Sequence, residues 1–180
     1  MNSTAAEERL INKAKGDREA FLEIYDLHFK RIYNYAYYRT MDLNEAEEIT
    51  SRTFLAALEN IAQFEYRNIP IAVWLYRIAS NAIADHYRKK GRSLELTEEY
   101  LAEDRSASPE NTLINKMERE QLIMMIKSLP PLQQQAIILR YIQNMSYKDI
   151  SQIMEKTEGA VKQLLHRGLS SLRERMVRYE

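Results

Sequence analysis

SYKDISQIMEKTEGAVKQLLHRGLSSLRER, residues 146–175, reads as two helices with almost nothing between them. Ser146 is an N-cap for a short helix through Met154, because its hydroxyl can accept from the free N–H groups of a first helical turn. Glu155 to Thr157 make a tight turn, and a long helix runs from Glu158 to near Arg175. Two helices joined by about three residues form a helix-turn-helix. On the second helix Val161, Leu165, Gly168 or Leu169, and Leu172 share one face. Glu158, Gly159, Lys162, Gln163, His166 and Arg167 lie on the opposite face. Lys and Arg can pair with guanine N7 and O6 in a major groove, Gln with adenine, and further cations can hold phosphates. On pattern alone the same face also suits an ordinary solvated surface.

Working back from that stretch, Leu129-Pro130-Pro131 breaks the chain, and the helix after it carries Ala136, Ile137, Leu139, Arg140 and Tyr141. Ser108-Pro109-Glu110 reads as an N-cap with Pro in the first turn, opening a helix that faces Leu113, Met117, Leu122, Ile123 and Ile126 inward. From about Ser93 to Ser108 there is no sustained apolar period, and the composition is that of a solvated connector.

The N-terminal half is helical too. Thr4 and Glu7 form a capping-box pattern for a first helix that ends near Gly16, and Asp17 caps a second. That second helix carries Phe21, Ile24, Tyr25, Phe29, Ile32, Tyr33 and Ala36 at three-to-four spacing, a stripe that reads as core. Asp42 with Glu45 starts a third helix, with Ala46, Ile49, Phe54, Leu55 and Leu58 inward toward Ile61. The loop FEYRNIP follows, and Pro70 fits the first turn of a fourth helix that runs IAVWLYRIASNAIADHYRKK to Gly91.

With 180 residues, four Gly and four Pro, the expected fold is all-α: two small helical domains, at 1–92 and 109–180, joined by an acidic linker at 93–108. The chain has no Cys, so it forms no disulfide and no thiolate zinc site, and nothing in it calls for a metal or other cofactor. No stretch approaches a membrane span and the N-terminus lacks an export pattern, so a cytoplasmic location is expected. Charges balance at 26 of each sign but are unevenly placed. RKKGR at 88–92 and the stretch after Gln121 are basic, while Glu95, Glu98, Glu99, Glu103, Asp104 and Glu110 face only Arg105.

The fourth helix interleaves Trp74, Tyr76, Arg77, Asn81, His86, Tyr87, Arg88 and Lys89. Cations with planar faces are what single-stranded DNA needs, since phosphates are neutralised while unstacked bases find a surface. Trp74, Ile78 and Ala82 fit the core reading better.

Together these stretches resemble the extracytoplasmic-function sigma factors, the smallest class of bacterial RNA polymerase sigma subunits. GDREAFLEIYDLHFKRIYNYAY is similar to that family's first conserved stretch, EAEEITSRTFLAAL to its polymerase-binding helix and WLYRIASNAIADHYRKK to its promoter-melting helix. SLPPLQQQAIILRYIQNMSYKDISQIMEKTEGAVKQLLHRGLSSLRER is similar to the domain that reads the minus-35 element. The resemblance implies that Glu47, Glu48, Ser51, Arg52 and Phe54 lie on the helix that docks on core RNA polymerase. It implies that the loop from Phe64 to Pro70, with Tyr66, Arg67 and Asn68, joins Asn81 in capturing a base of the minus-10 strand, while Arg77, Arg88 and Lys89 face its backbone. Glu158, Lys162, Gln163, His166 and Arg167 match the minus-35 reading face. By the same resemblance the acidic connector either enters the polymerase RNA channel or is a simple flexible linker, and an anti-sigma protein would be a further partner.

The chain departs from the family pattern at three places, one of them Leu164, where an Arg is usual before the conserved Leu. Ser51 and Arg52 stand where Gln-Glu is usual, and Glu155-Lys156 stand where the turn usually has Gly and an apolar residue. A left-handed Glu155 costs about 1 kcal/mol relative to Gly. Catalysis has no constellation to rest on, with His28, His86 and His166 dispersed and no phosphate-cradling loop. A helix-turn-helix regulator acting without polymerase and a helical protein adaptor remain as rival readings.

Overall fold

The computed structural model describes residues 3–66, 69–93 and 121–177. They form eight helices: α1 (Ser3–Ala14), α2 (Arg18–Thr40), α3 (Leu43–Asn60), α4 (Ile71–Ser93), α5 (121–127), α6 (Pro131–Ile137), α7 (Tyr147–Met154) and α8 (Glu158–Val177). Short turns follow α3 at Ile61–Gln63 and α6 at Ile138–Ile142. No strand occurs among the described residues, as the composition requires. The cap at Ser108-Pro109, core positions Leu113 and Met117, the acids Glu98, Glu99, Glu103 and Asp104, and Arg67 and Asn68 lie outside the described residues.

Helices α1 to α4 form the first lobe. Asp17 Oδ1 accepts from Glu19 N at 2.9 Å and Asp42 Oδ1 from Glu45 N at 2.9 Å, so both expected caps are made. The start of α1 differs from the expectation at Thr4. The helix already includes Ser3 and Thr4, and the Glu7 carboxylate is committed elsewhere, accepting from Ile71 N at 2.9 Å. Glu7 thereby satisfies an orphan donor at the start of α4. Pro70 stands just before that helix rather than within it, and Gly91 does not stop it, since α4 continues to Ser93.

The core of this lobe is built from Ile11, Phe21, Ile24, Ile32, Ala36, Ala46, Ile49, Phe54, Ala57, Ile71, Leu75 and Ile83. Two expected core residues face outward instead: Phe29 is 38% exposed and Leu55 56% exposed. Thr50 and Thr53 take the inward positions on α3, and their hydroxyls donate to Ala46 O at 2.6 Å and Ile49 O at 2.7 Å. A hydroxyl satisfied within its own helix can be buried at little cost, so α3 has a core face that an apolar count does not reveal.

His28, on α2, is held below the ordinary imidazole pKa by burial first and by the Arg31 charge second. The unfolded chain therefore takes up a proton before the folded one as pH falls. The contribution is nil above about pH 6.5 and becomes destabilising as pH drops below that value. It levels off once the folded form is protonated as well. Urea midpoints measured from pH 7.5 to 5 should decline less in His28→Gln than in the parent chain, and parallel curves would refute the assignment.

The second lobe comprises α5 to α8. Pro131 opens α6, and the helix widens over Ile138–Ile142 into a π turn in which Gln143 N donates to Ile138 O at 3.0 Å. Ile138, Leu139, Ile150, Ile153, Val161, Leu165 and Leu172 form its core. Leu122 is 45% exposed rather than inward, on the rim of an apolar cleft that Ile126 and Leu172 also line. Gly168, not Leu169, completes the buried face of α8, because a Cβ there would stand 3.0 Å from Ile137 Cγ1. That close approach seats α8 on α6.

Candidate nucleic-acid interfaces

Ser146 caps α7 as the sequence indicates, accepting from Asp149 N at 3.1 Å, and it donates back to Asp149 Oδ2 at 2.6 Å. Helix α7 ends at Glu155, whose φ of 54° and ψ of 45° are left-handed. Lys156 N donates to Ser151 O at 2.9 Å, which closes the helix end and turns the chain into α8. Burying Val161, Leu165, Gly168 and Leu172 leaves Glu158, Lys162, Gln163, His166 and Arg167 all exposed on one side of α8. Tyr147 supports that face, with Lys162 Nζ 5.4 Å and Arg140 Cζ 4.8 Å from its ring centroid. The result is a rigid, exposed helix carrying donors and cations beside the preceding helix of its motif.

A second constellation lies in the first lobe. A cleft of about 650 Å³ is lined by Ala56, Asn60, Gln63, Phe64, Glu65, Ile69, Trp74, Arg77 and Ile78. Phe64 and Trp74 meet in its wall with ring centroids 4.6 Å apart. Trp74 is only half-buried, so the indole is part of the cleft as well as of the packing. Of the residues the sequence assigned to this site, Phe64 and Arg77 line the cleft. Asn81 is exposed one turn further along α4. Tyr66 turns toward α1, where burial and then the Glu7 and Glu8 carboxylates raise its pKa. Glu65 and Ile69 belong to the assigned FEYRNIP loop, whereas Asn60 and Gln63, just before it, were not singled out by the sequence.

The basic end of α4 is sorted by its partners. Lys90 Nζ donates to Glu45 Oε1 at 2.6 Å, and that bond holds its pKa above the ordinary lysine value. His86 Nε2 lies 3.2 Å from the same oxygen, and Tyr87 OH donates to Arg39 O at 2.8 Å. Ile83 is the last fully buried residue among the described side chains of α4, so the Lys90 and Tyr87 bonds fix the helix end. Arg88, beside Asp85 at 2.6 Å, and Lys89 remain exposed.

The third expected face lies on α3. Glu47, Glu48 and Ser51 are exposed, and Arg52 is half-exposed in a pair with Glu48 at 3.4 Å. Phe54 is only 4% exposed, with its ring 4.7 Å from Tyr25 and 6.4 Å from Phe29. It backs this face from inside rather than lying on it. Leu55 is the apolar residue presented there, about 180° around the helix from Ala46. Among the described residues no group of His, Asp and Glu is placed to hold a metal ion, and no helix is long and apolar enough to cross a membrane.

An exposed helix-turn-helix face and an aromatic, cationic cleft on one all-α chain define a helical nucleic-acid-binding protein. Family comparison is specific: residues 24–93 match sigma-70 region 2 and residues 119–172 match sigma-70 region 4. The chain is 30% identical over 178 residues to the ECF RNA polymerase sigma factor SigW of Bacillus subtilis, covering 93% of this chain and 95% of SigW. It is 35% identical over 166 residues to BldN of Streptomyces coelicolor, covering 91% of this chain and 63% of BldN. The fold matches CnrH in its complex with the cytosolic domain of CnrY, with a TM-score of 0.75 at 19% identity over 97% of this chain and 99% of that one. It also matches RpoE of Bartonella quintana, solved with the anti-sigma factor NepR, with a TM-score of 0.71 at 22% identity over 86% and 94% of the two chains.

The chain belongs to the extracytoplasmic-function sigma factors. Its role is accordingly promoter recognition in transcription initiation, and sigma factors as a class are non-catalytic subunits of RNA polymerase.

Proposed function

We propose a residue-level division of that role. Residues 1–92 bind core RNA polymerase and the single-stranded minus-10 element, 93–108 form the connector, and 109–180 hold the duplex minus-35 element. Glu47, Glu48, Ser51, Arg52 and Leu55 form the polymerase-docking face. The cleft beneath the Phe64–Pro70 loop takes an unstacked minus-10 base, and Arg77, Asn81, Arg88 and Lys89 follow its strand. Glu158, Lys162, Gln163, His166 and Arg167 face the upstream duplex. The protein acts in the cytoplasm, where the polymerase is, and an anti-sigma protein that masks these faces is its further partner.

The observation that carries this reading is the cleft. It places aromatic rings, amide side chains and a guanidinium around a space large enough for a base, next to a helix whose outer side is cationic. Transcription with purified core polymerase on a genomic fragment library tests it and supplies a promoter. On that promoter Arg77→Ala should reduce strand opening, read by permanganate reactivity, roughly tenfold, as loss of one charge-assisted contact predicts. Affinity for core polymerase should be unchanged. Normal opening by the variant would remove Arg77 from the site.

A further inference from the structure

Helix α7 begins with an aromatic residue that carries two cations. Arg140 Cζ and Lys162 Nζ lie 4.8 Å and 5.4 Å from the Tyr147 ring centroid, both within the roughly 6 Å at which a ring face attracts a cation. The three residues come from the π turn after α6, the first position of α7 and the second turn of α8. Two of them are fixed from elsewhere. Tyr147 is half-buried against the core, and Ser146 before it caps the helix by accepting from Asp149 N at 3.1 Å. Arg140 Nη1 donates to Met145 O at 2.7 Å, across the left-handed Asn144. Lys162 is exposed, and the ring is what holds it.

Lys162 takes the ring although a carboxylate stands nearby. Glu158 lies one turn before it on the same face, in the order that favours an i, i+4 ion pair, yet among the described residues no ion pair joins the two. The difference matters for a side chain that has to meet a ligand. A carboxylate neutralises the ammonium and occupies its donors. A ring face holds the charge from one side and leaves N–H groups free for an acceptor. Gln163, His166 and Arg167 have no ring or ion-pair partner, so among the described residues of that face Lys162 alone has a preset direction.

We infer that Tyr147 is a positioning residue for the upstream duplex, setting which base pair Lys162 reads. The inference rests on the assignment of α8 to that duplex and deepens it. Lysine is a point charge on a flexible four-carbon stem. Successive base pairs are ~3.4 Å apart, a step that such a stem spans easily, so an unheld Lys162 samples acceptors on neighbouring pairs. Held over Tyr147, its ammonium approaches the groove from the α7 side, near the end of α8 that reads base edges in motifs of this kind. Arg140 keeps the ring in place when Lys162 moves onto the DNA.

The test uses holoenzyme reconstituted from the full chain and core polymerase, transcribing a pool of promoters randomised across the upstream element. Transcript counts give the base preference at each position, and Lys162→Ala identifies the position that depends on Lys162. Tyr147→Leu, which keeps apolar packing but removes the ring face, should lower the preference there about two- to fivefold and leave the other positions unchanged. Tyr147→Met is a second ring-free variant should the first fold poorly, as urea midpoints reveal. Tyr147→Phe keeps the ring and should restore the parent preference. In a Lys162→Ala background, Tyr147→Leu should change no preference further. A ring that only fills space would instead weaken all promoters alike, with or without Lys162. Ring-free variants that keep the preference, or whose loss persists in the Lys162→Ala background, overturn the positioning role while leaving α8 on the upstream duplex. A Lys162→Ala variant that keeps every upstream preference overturns the assignment of Lys162 and the positioning role together.

Discussion

Changing both Lys162 and Arg167 to Ala lowers initiation at promoters that need the upstream element by about two to three orders of magnitude. A side chain seated on a base edge discriminates by about 1–3 kcal/mol, so two such contacts account for a loss of that size. Both side chains are exposed on α8, and surface replacements of this kind change stability by less than about 0.5 kcal/mol. The ring of Tyr147 loses Lys162 but keeps Arg140 at 4.8 Å, so the α7–α8 packing survives. The measurement is transcription by the reconstituted holoenzyme on two promoters that differ only upstream, repeated over a range of salt. If one of the two residues serves a phosphate instead, its loss appears at every sequence and flattens the salt dependence by about one unit of slope. Full activity in the double variant would mean that α8 docks on protein, as in a helical adaptor.

The helix-turn-helix was legible in the sequence because the cap and the apolar period agreed. Ser146 caps the first helix and Val161, Leu165 and Leu172 recur at helical spacing on the second, whereas Glu155, a good helix former, does not by its type announce the left-handed turn it makes. Caps at Asp17 and Asp42 were legible for the same reason. Positions whose burial is decided by distant partners were not. Thr50 and Thr53 are polar by composition and buried by geometry, since their hydroxyls are satisfied within α3. Leu55 is apolar and exposed, and only its angular distance from Ala46, Ile49 and Ala57 separates it from the core.

The seam between the lobes is the extreme case. Nothing in the local sequence pairs Tyr76 with Gln143, or Arg39 with the carbonyl of Pro131, because those partners lie 67 and 92 residues apart. The π turn at Ile138–Ile142 presents Gln143 to both Tyr76 and Arg31, and a helical period cannot announce such a widening. The cleft was half legible. Its loop, aromatic and cationic residues stood out, while Asn60 and Gln63 passed as an ordinary helix end and turn.

Phe54→Ala should destabilise the first lobe by about 3–5 kcal/mol, a large share of the ~5–15 kcal/mol that holds a typical domain. Its ring sits edge-on to Tyr25 and beneath Phe29, so its removal leaves a void that α2 and α3 cannot close without shifting. Urea unfolding followed by circular dichroism reads the loss directly. Leu55→Ala, one residue further along α3 but on the outside, should leave the urea midpoint in place and weaken binding to core polymerase about tenfold, as for an apolar anchor at an interface. The two neighbours thus separate support from contact. Were Phe54→Ala instead to lose polymerase affinity at unchanged stability, the ring would itself be the contact and α3 would have to rotate on docking to bring it out.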